Sequence, residues 1–210
     1  MKFTLMSYHY LRYPIRKYLD KMERVGLDGI DIYCTGPQLN PFDYSLGALI
    51  QLNRDIRDRH LTPYVLTAEN CVYPVNLATS DLLTWESTQR YYQRLIDTAQ
   101  FLECPHIQIC PGTGYYDADK DEAWKRQVEA VQLLAEYAKK KGVTIFMETC
   151  KITTTNLVVT SKELKQFIDD VARTICWVFP TPTRCLRPGS TSTITLTIWA
   201  ISMALSISVT

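Results

Sequence analysis

Five short apolar runs, at residues 3–6, 29–33, 63–67, 106–110 and 143–147, are each followed by a stretch of helical spacing, at 15–25, 46–59, 80–102, 119–141 and 162–170. That alternation constrains the fold more than any other feature of the chain. Runs this apolar suit strands buried on both faces, and strands joined through helices lie parallel, because a helix-length crossover returns the chain to the same end of the sheet. The helical stretches carry their own punctuation. Ile15, Tyr18, Leu19, Met22 and Val25 share one face of the first, which Gly26 ends. Ser80 is read as the N-cap of the third, ahead of Asp81, and Ser161 as the cap of the fifth. The fourth is acidic at its start, Lys-rich at its end and closed by Gly142, as the helix dipole favours.

Two architectures accept such a series of βα units: an open doubly wound sheet and a (β/α)8 barrel. The doubly wound sheet calls for a Gly-rich phosphate turn after an early strand, whereas the first strand here runs into Ser7-Tyr8-His9-Tyr10. A barrel gathers polar residues at the C-terminal ends of its strands, where the loops share one mouth. Asp31, Glu69, Gln108 and Glu148 stand at those ends, so the α/β chain is read as a (β/α)8 TIM barrel.

Composition limits the partners. With 46% hydrophobic and 21% charged residues in 210, the chain can bury the core of one domain. A net charge of +1 argues against a nucleic-acid surface. The seven cysteines are scattered, odd in number and without a CxxC pair, and Met1-Lys2-Phe3 opens no evident signal peptide. A reducing cytoplasm is the simplest expectation.

Glu148 is the leading candidate for chemistry. It ends the run Thr144-Ile145-Phe146-Met147, where a carboxylate would point into the barrel mouth, placed to bind a divalent metal or move a proton. On spacing alone, a strand-end glutamate that is exposed or paired with a lysine is the commoner case. His9 and Tyr10, after the first strand, are placed to line the pocket, although His60 and His106 show that histidines occur here without an evident role. Cys110 and Cys150 sit near the mouth and read as small strand-end fillers rather than nucleophiles or ligands. Trp85, Tyr91, Tyr92 and Leu95 make an apolar helical face that reads as core.

Several segments in order resemble a family. They are Arg12-Tyr13-Pro14-Ile15, Val25-Gly26-Leu27-Asp28-Gly29-Ile30-Asp31-Ile32, Thr67-Ala68-Glu69-Asn70 with Tyr73-Pro74-Val75-Asn76, and Phe146-Met147-Glu148 with Asn156 beyond. Together they resemble the xylose isomerase-like sugar isomerase/epimerase barrels, and within these the fructoselysine and ketose (tagatose, psicose) 3-epimerases. The resemblance covers residues 1 to about 170. It implies a divalent ion (Mn, Co, Mg or Zn) held by Glu, Asp, His and Glu from separate strands, and proton transfer through an enediolate, with the two glutamates as acid and base. Glu148 falls on the first of those positions, as ligand and base. Glu69 matches a loop position facing the substrate, or is a loop carboxylate bonding its own backbone. Asp31 matches a mouth-facing acid of the second strand, with packing or a salt bridge as its other reading. Gln108 and Thr154 complete the expected substrate contacts, but Thr154 stands where the epimerases carry a second, substrate-binding Glu. A hydroxyl there cannot supply the same charge. The implied partner is a small sugar or sugar-amine, with no nucleic acid and no membrane, and with room for a homo-oligomer in the intact protein.

From Ala172 to Thr210 the chain contains no Asp, Glu or Lys, and its periodicity stops. Thr191 to Thr210 is uncharged and Ile-rich but studded with Ser and Thr, marginal for a spanning helix. The genetic code offers another reading. Joining the third base of each codon to the first two of the next turns Cys176-Trp177-Val178 necessarily into Leu-Gly, and makes Trp199-Ala200 and Met203-Ala204 each Gly. The surrounding codons permit Val-Ser-Asp-Thr-Asp and later Val-Ile-His-Ile-Ser-Asp, which resemble the family's sixth and seventh strands with their Asp and His ligands. The expectation is a frameshift near Val171: residues 1–171 form the N-terminal part of the barrel, truncated after about five βα units, and 172–210 an out-of-frame tail without native structure. Such a chain would lack three of the four expected ligands and be inactive or poorly soluble. Another enzyme on the same barrel (inosose dehydratase or hydroxypyruvate isomerase-like) and a non-catalytic remnant with a membrane- or partner-binding tail are the alternatives.

Overall fold

A computed structural model describes residues 2–27, 29–36, 38–69, 75–171, 176–178 and 198–199. The order is β1 (Lys2–Met6), a 3-10 turn (Ser7–Tyr10), α1 (Ile15–Val25), β2 (Gly29–Cys34), α2 (Leu46–Arg57), β3 (Thr62–Ala68), α3 (Leu82–Phe101), β4 (His106–Ile109), α4 (Lys120–Lys141), β5 (Thr144–Met147) and α5 (Ser161–Val171). Two short strands follow, β6 (Cys176–Val178) and β7 (Ile198–Trp199). Strand order is β6-β5-β4-β3-β2-β1-β7. The strands from β1 to β6 are parallel, and β7 runs antiparallel to β1. The expected alternation is therefore present, as the wall of a parallel barrel with its helices outside; the rest of 172–210 lies outside the described residues.

The pleat sends neighbouring residues to opposite faces. Ile30, Ile32, Leu66, Ile107, Ile109, Ile145 and Met147 meet Tyr18, Leu19, Met22, Tyr92, Leu95, Ile96, Val131 and Leu134 of the helices in one large core. Trp85 packs against this core and Tyr91 and Leu95 belong to it, as their spacing predicts. The other face carries a second, small cluster of Val65 and Phe146 with Tyr64 against it. A register shift between Ile30 and Asp31 pairs Asp31 with Val65 and Tyr33 with Thr67. Val65 in turn pairs with His106, and Thr67 with Gln108. Rungs of inner-face residues thus climb towards the C-terminal ends of the strands.

Turns at the other end share one device. Gly26 and Gly142 close α1 and α4 in the left-handed region, at φ 72° and 69°. His60 and Glu103 take the same region at φ 54° in the corresponding turns after α2 and α3, with only a side chain's strain to distinguish them. Two caps differ from expectation by one residue. Asp81, not Ser80, caps α3, accepting from the Thr84 amide at 2.7 Å. Ser161 is the first residue of α5, and Thr160 caps it: its hydroxyl accepts from the Glu163 amide at 3.2 Å, while the Glu163 carboxylate accepts from the Thr160 amide at 2.8 Å. This reciprocal pair is a capping box. Among the described residues, no helix is long and apolar enough to cross a membrane.

Candidate active site at the C-terminal strand ends

β4 and β5 pair through Ile109 and Met147, so the next residues, Cys110 and Glu148, face each other one step beyond the sheet. The Cys110 Sγ lies 3.7 Å from a Glu148 carboxylate oxygen. Cys150 reaches the same place, and donor atoms of Cys110, Glu148 and Cys150 all lie within 4.8 Å of one another. All three side chains are buried, Glu148 at 7% exposure. The exposed alternative for Glu148 is not what the fold builds.

Lower on the same face is Asp31. It is 1% exposed, and the Thr67 hydroxyl donates to its Oδ1 at 2.7 Å. Burial, reinforced by the charge of Glu148 and only partly offset by the Thr67 bond, pushes its pKa up to about 7. No salt bridge joins it among the described residues, so that expectation for Asp31 is replaced by a buried carboxyl able to hold a proton near neutrality. Glu69 directly follows β3, half-buried, and its carboxylate accepts from the Tyr33 phenol. Tyr8 packs edge-on against Tyr33 at 5.1 Å. Gln108 is buried on the inner face.

The remaining expected contacts sit elsewhere. His9 is exposed in the 3-10 turn, its ring against Tyr8 at 5.8 Å. Tyr10 packs on the helix-side core beside Tyr18, with ring centroids 5.6 Å apart. Thr154 contributes its backbone, the carbonyl accepting from the Thr113 hydroxyl at 2.7 Å. That bond belongs to a larger stitching. The Asn76 side chain accepts from the Thr113 amide and donates to its carbonyl, both at 2.9 Å. Asn156 does the same with Gly114, at 2.9 and 3.0 Å. Two asparagines on different loops thus imitate strand partners for consecutive residues of the β4–α4 loop. Gln127 adds a bond to the Gly112 amide, and the Thr155 hydroxyl donates to the Gly112 carbonyl at 2.7 Å.

For the divalent ion that the resemblance implies, the described residues supply a partial set. The Glu148 carboxylate suits such an ion, but the donors beside it are sulfurs, not the oxygens and imidazole expected. The Asp, His and second Glu were expected on strands six to eight of the intact barrel, and residues 172–210 as written contain none of the three residue types.

The sequence and fold have relatives. The fructoselysine 3-epimerase of Shigella flexneri is 22% identical over 164 residues, covering 78% of this chain and 59% of its own. The crystal structure of D-psicose 3-epimerase with D-tagatose from Clostridium cellulolyticum H10 superposes with a TM-score of 0.74 at 22% identity, over 86% of this chain and 63% of the other. The IOLI protein with a bound zinc atom gives 0.70 at 21% identity, over 85% and 62%. The chain thus spans less than two thirds of the length of each. The first two relatives are by name carbohydrate epimerases. The family model for the xylose isomerase-like TIM barrel matches residues 19–181, and the chain belongs to that family.

Proposed function

We propose that the complete barrel to which this sequence belongs is a metal-dependent carbohydrate epimerase, acting on a ketose or fructosamine at C3, and that the 210-residue chain as written is inactive. One observation carries the reading: a buried carboxylate, Glu148, directly follows parallel strand β5 on the inner face, where the barrel mouth forms. When bound, a divalent ion supplies positive charge against the negative charge that develops as the proton leaves carbon. Glu148 takes that proton, and the second glutamate expected beyond β5 returns one to the opposite face. Glu69, fixed by the Tyr33 phenol, is placed to accept a sugar hydroxyl. Inactivity follows from the frameshift reading of 172–210, which removes three of the four ligands.

The test uses two proteins: the 210-residue chain and the product of the gene with the frame restored near Val171. Each is assayed with psicose, tagatose, fructoselysine and an inosose, in the presence of Mn, Co, Mg or Zn. Epimerisation by the restored protein alone, reduced about 10²–10⁴-fold by Glu148→Gln, is the expected result. Turnover of the inosose instead moves the protein to the dehydratase reading. Full activity in the 210-residue chain overturns the inactivity.

A further inference from the structure

The donors around Glu148 suit a different ion from the one the family resemblance implies. Cys110 follows β4 directly and Cys150 lies two residues past Glu148, so three donors come from two adjacent loops. Both loops are held. The Cys150 amide donates to the Val158 carbonyl at 3.2 Å, and the β4–α4 loop is tied by Asn76, Gln127, Thr155 and Asn156. In a tetrahedral zinc site, bond lengths of about 2.3 Å to sulfur and 2.0–2.2 Å to oxygen set donor separations of roughly 3.8 Å for two sulfurs and 3.5 Å for sulfur and oxygen. Cys110 and Glu148 already stand at 3.7 Å, and no pair exceeds 4.8 Å. A contraction of at most about 1.3 Å in any pair, within side-chain adjustment, completes the triangle. The three side chains are 4%, 7% and 2% exposed, which excludes most competing water.

We propose that Cys110, Glu148 and Cys150 form a site for one thiophilic divalent ion of the zinc class. Two thiol protons leave to solvent as the ion binds, the carboxylate stays anionic, and the fourth tetrahedral position is left to water or an oxygen ligand. Oxygen-seeking ions such as Mg²⁺ are disfavoured by the two sulfurs. The site shares Glu148 with the epimerase reading but does not depend on that activity.

Cobalt(II) alone is the probe, titrated into the reduced 210-residue chain. Thiolate ligation gives a sulfur-to-cobalt charge-transfer absorption saturating at one equivalent. Cys110→Ser and Cys150→Ser should each weaken it at least tenfold in affinity, and the double variant should abolish it, while Cys34→Ser leaves it unchanged. Because a serine variant can fail to fold, the unsubstituted chain supplies a second measurement: Zn²⁺ should slow alkylation of both thiols at least tenfold, read by peptide mass spectrometry. An absorption that persists in the double variant, or alkylation indifferent to zinc, overturns the proposal. Cobalt bound without a sulfur band also overturns it and leaves the epimerase reading standing, whereas an inactive frame-restored protein does the reverse.

Discussion

Asp31 and His106 occupy the same rung of the sheet, on either side of Val65, and burial acts on them in opposite directions. Asp31 is raised to about 7. His106 is half-buried, stacks on Phe146 at 4.4 Å, has an Nδ1 with no hydrogen-bond partner, and is lowered to about 4 by desolvation. Between pH about 4 and 7 the folded chain holds the Asp31 proton that the unfolded chain releases, so this group makes stability fall as pH rises. Across nearly the same window the unfolded chain binds a proton at His106 that the folded chain refuses, so this group makes stability rise with pH. The two slopes oppose each other. Asp31→Asn keeps an acceptor for the Thr67 hydroxyl and should stabilise the fold by about 1–3 kcal/mol at pH 8, with little effect below pH 4. Urea denaturation at both pH values checks this; equal effects at the two would contradict the raised pKa.

At the scale of elements, strands were legible as short continuous apolar runs and helices by their 3.6-residue period, and Gly26 and Gly142 marked two helix ends. The caps at Asp81 and Thr160 were displaced by one because neighbouring residues, Ser80 and Ser161, have the same capping chemistry. The left-handed turns at His60 and Glu103 carried no glycine to announce them. Glu148 was legible at a strand end, and Cys110 and Cys150 as fillers near the mouth; that the three meet was not, because register between β4 and β5 decides what comes together beyond them. The asparagine stitches were hidden for a further reason: their partners are backbone groups, which every residue has. Each is nonetheless worth a measurable amount. Asn156→Ala removes two bonds to Gly114 and should cost about 1–3 kcal/mol of stability. Denaturant midpoints of the variant and the unsubstituted chain test it, and no change would show that water replaces the amide.

For the whole molecule, the inner side of the sheet is the weaker half. Its apolar cluster among the described residues is Val65 and Phe146 with Tyr64, against a helix-side core drawn from every helix. The sheet ends on β6 and β7, strands of three and two residues, rather than closing on itself among the described residues. Strand edges left unpaired recruit other chains. The 210-residue chain is therefore expected to elute in light scattering as high-mass species and to bind a hydrophobic dye such as ANS more strongly than the frame-restored protein. A monodisperse, dye-silent chain would contradict this.

The stitched β4–α4 loop alters how the molecule should open and close in time. The amides of Gly112, Thr113 and Gly114 belong to no helix or strand, yet each is held by a side-chain oxygen, from Gln127, Asn76 and Asn156 respectively. Exchange of these three protons for deuterium then requires several distant segments to separate at once rather than a local fraying. They should exchange at the pace of the β4 and β5 amides, making a stretch without regular structure part of the last region of the protein to admit solvent.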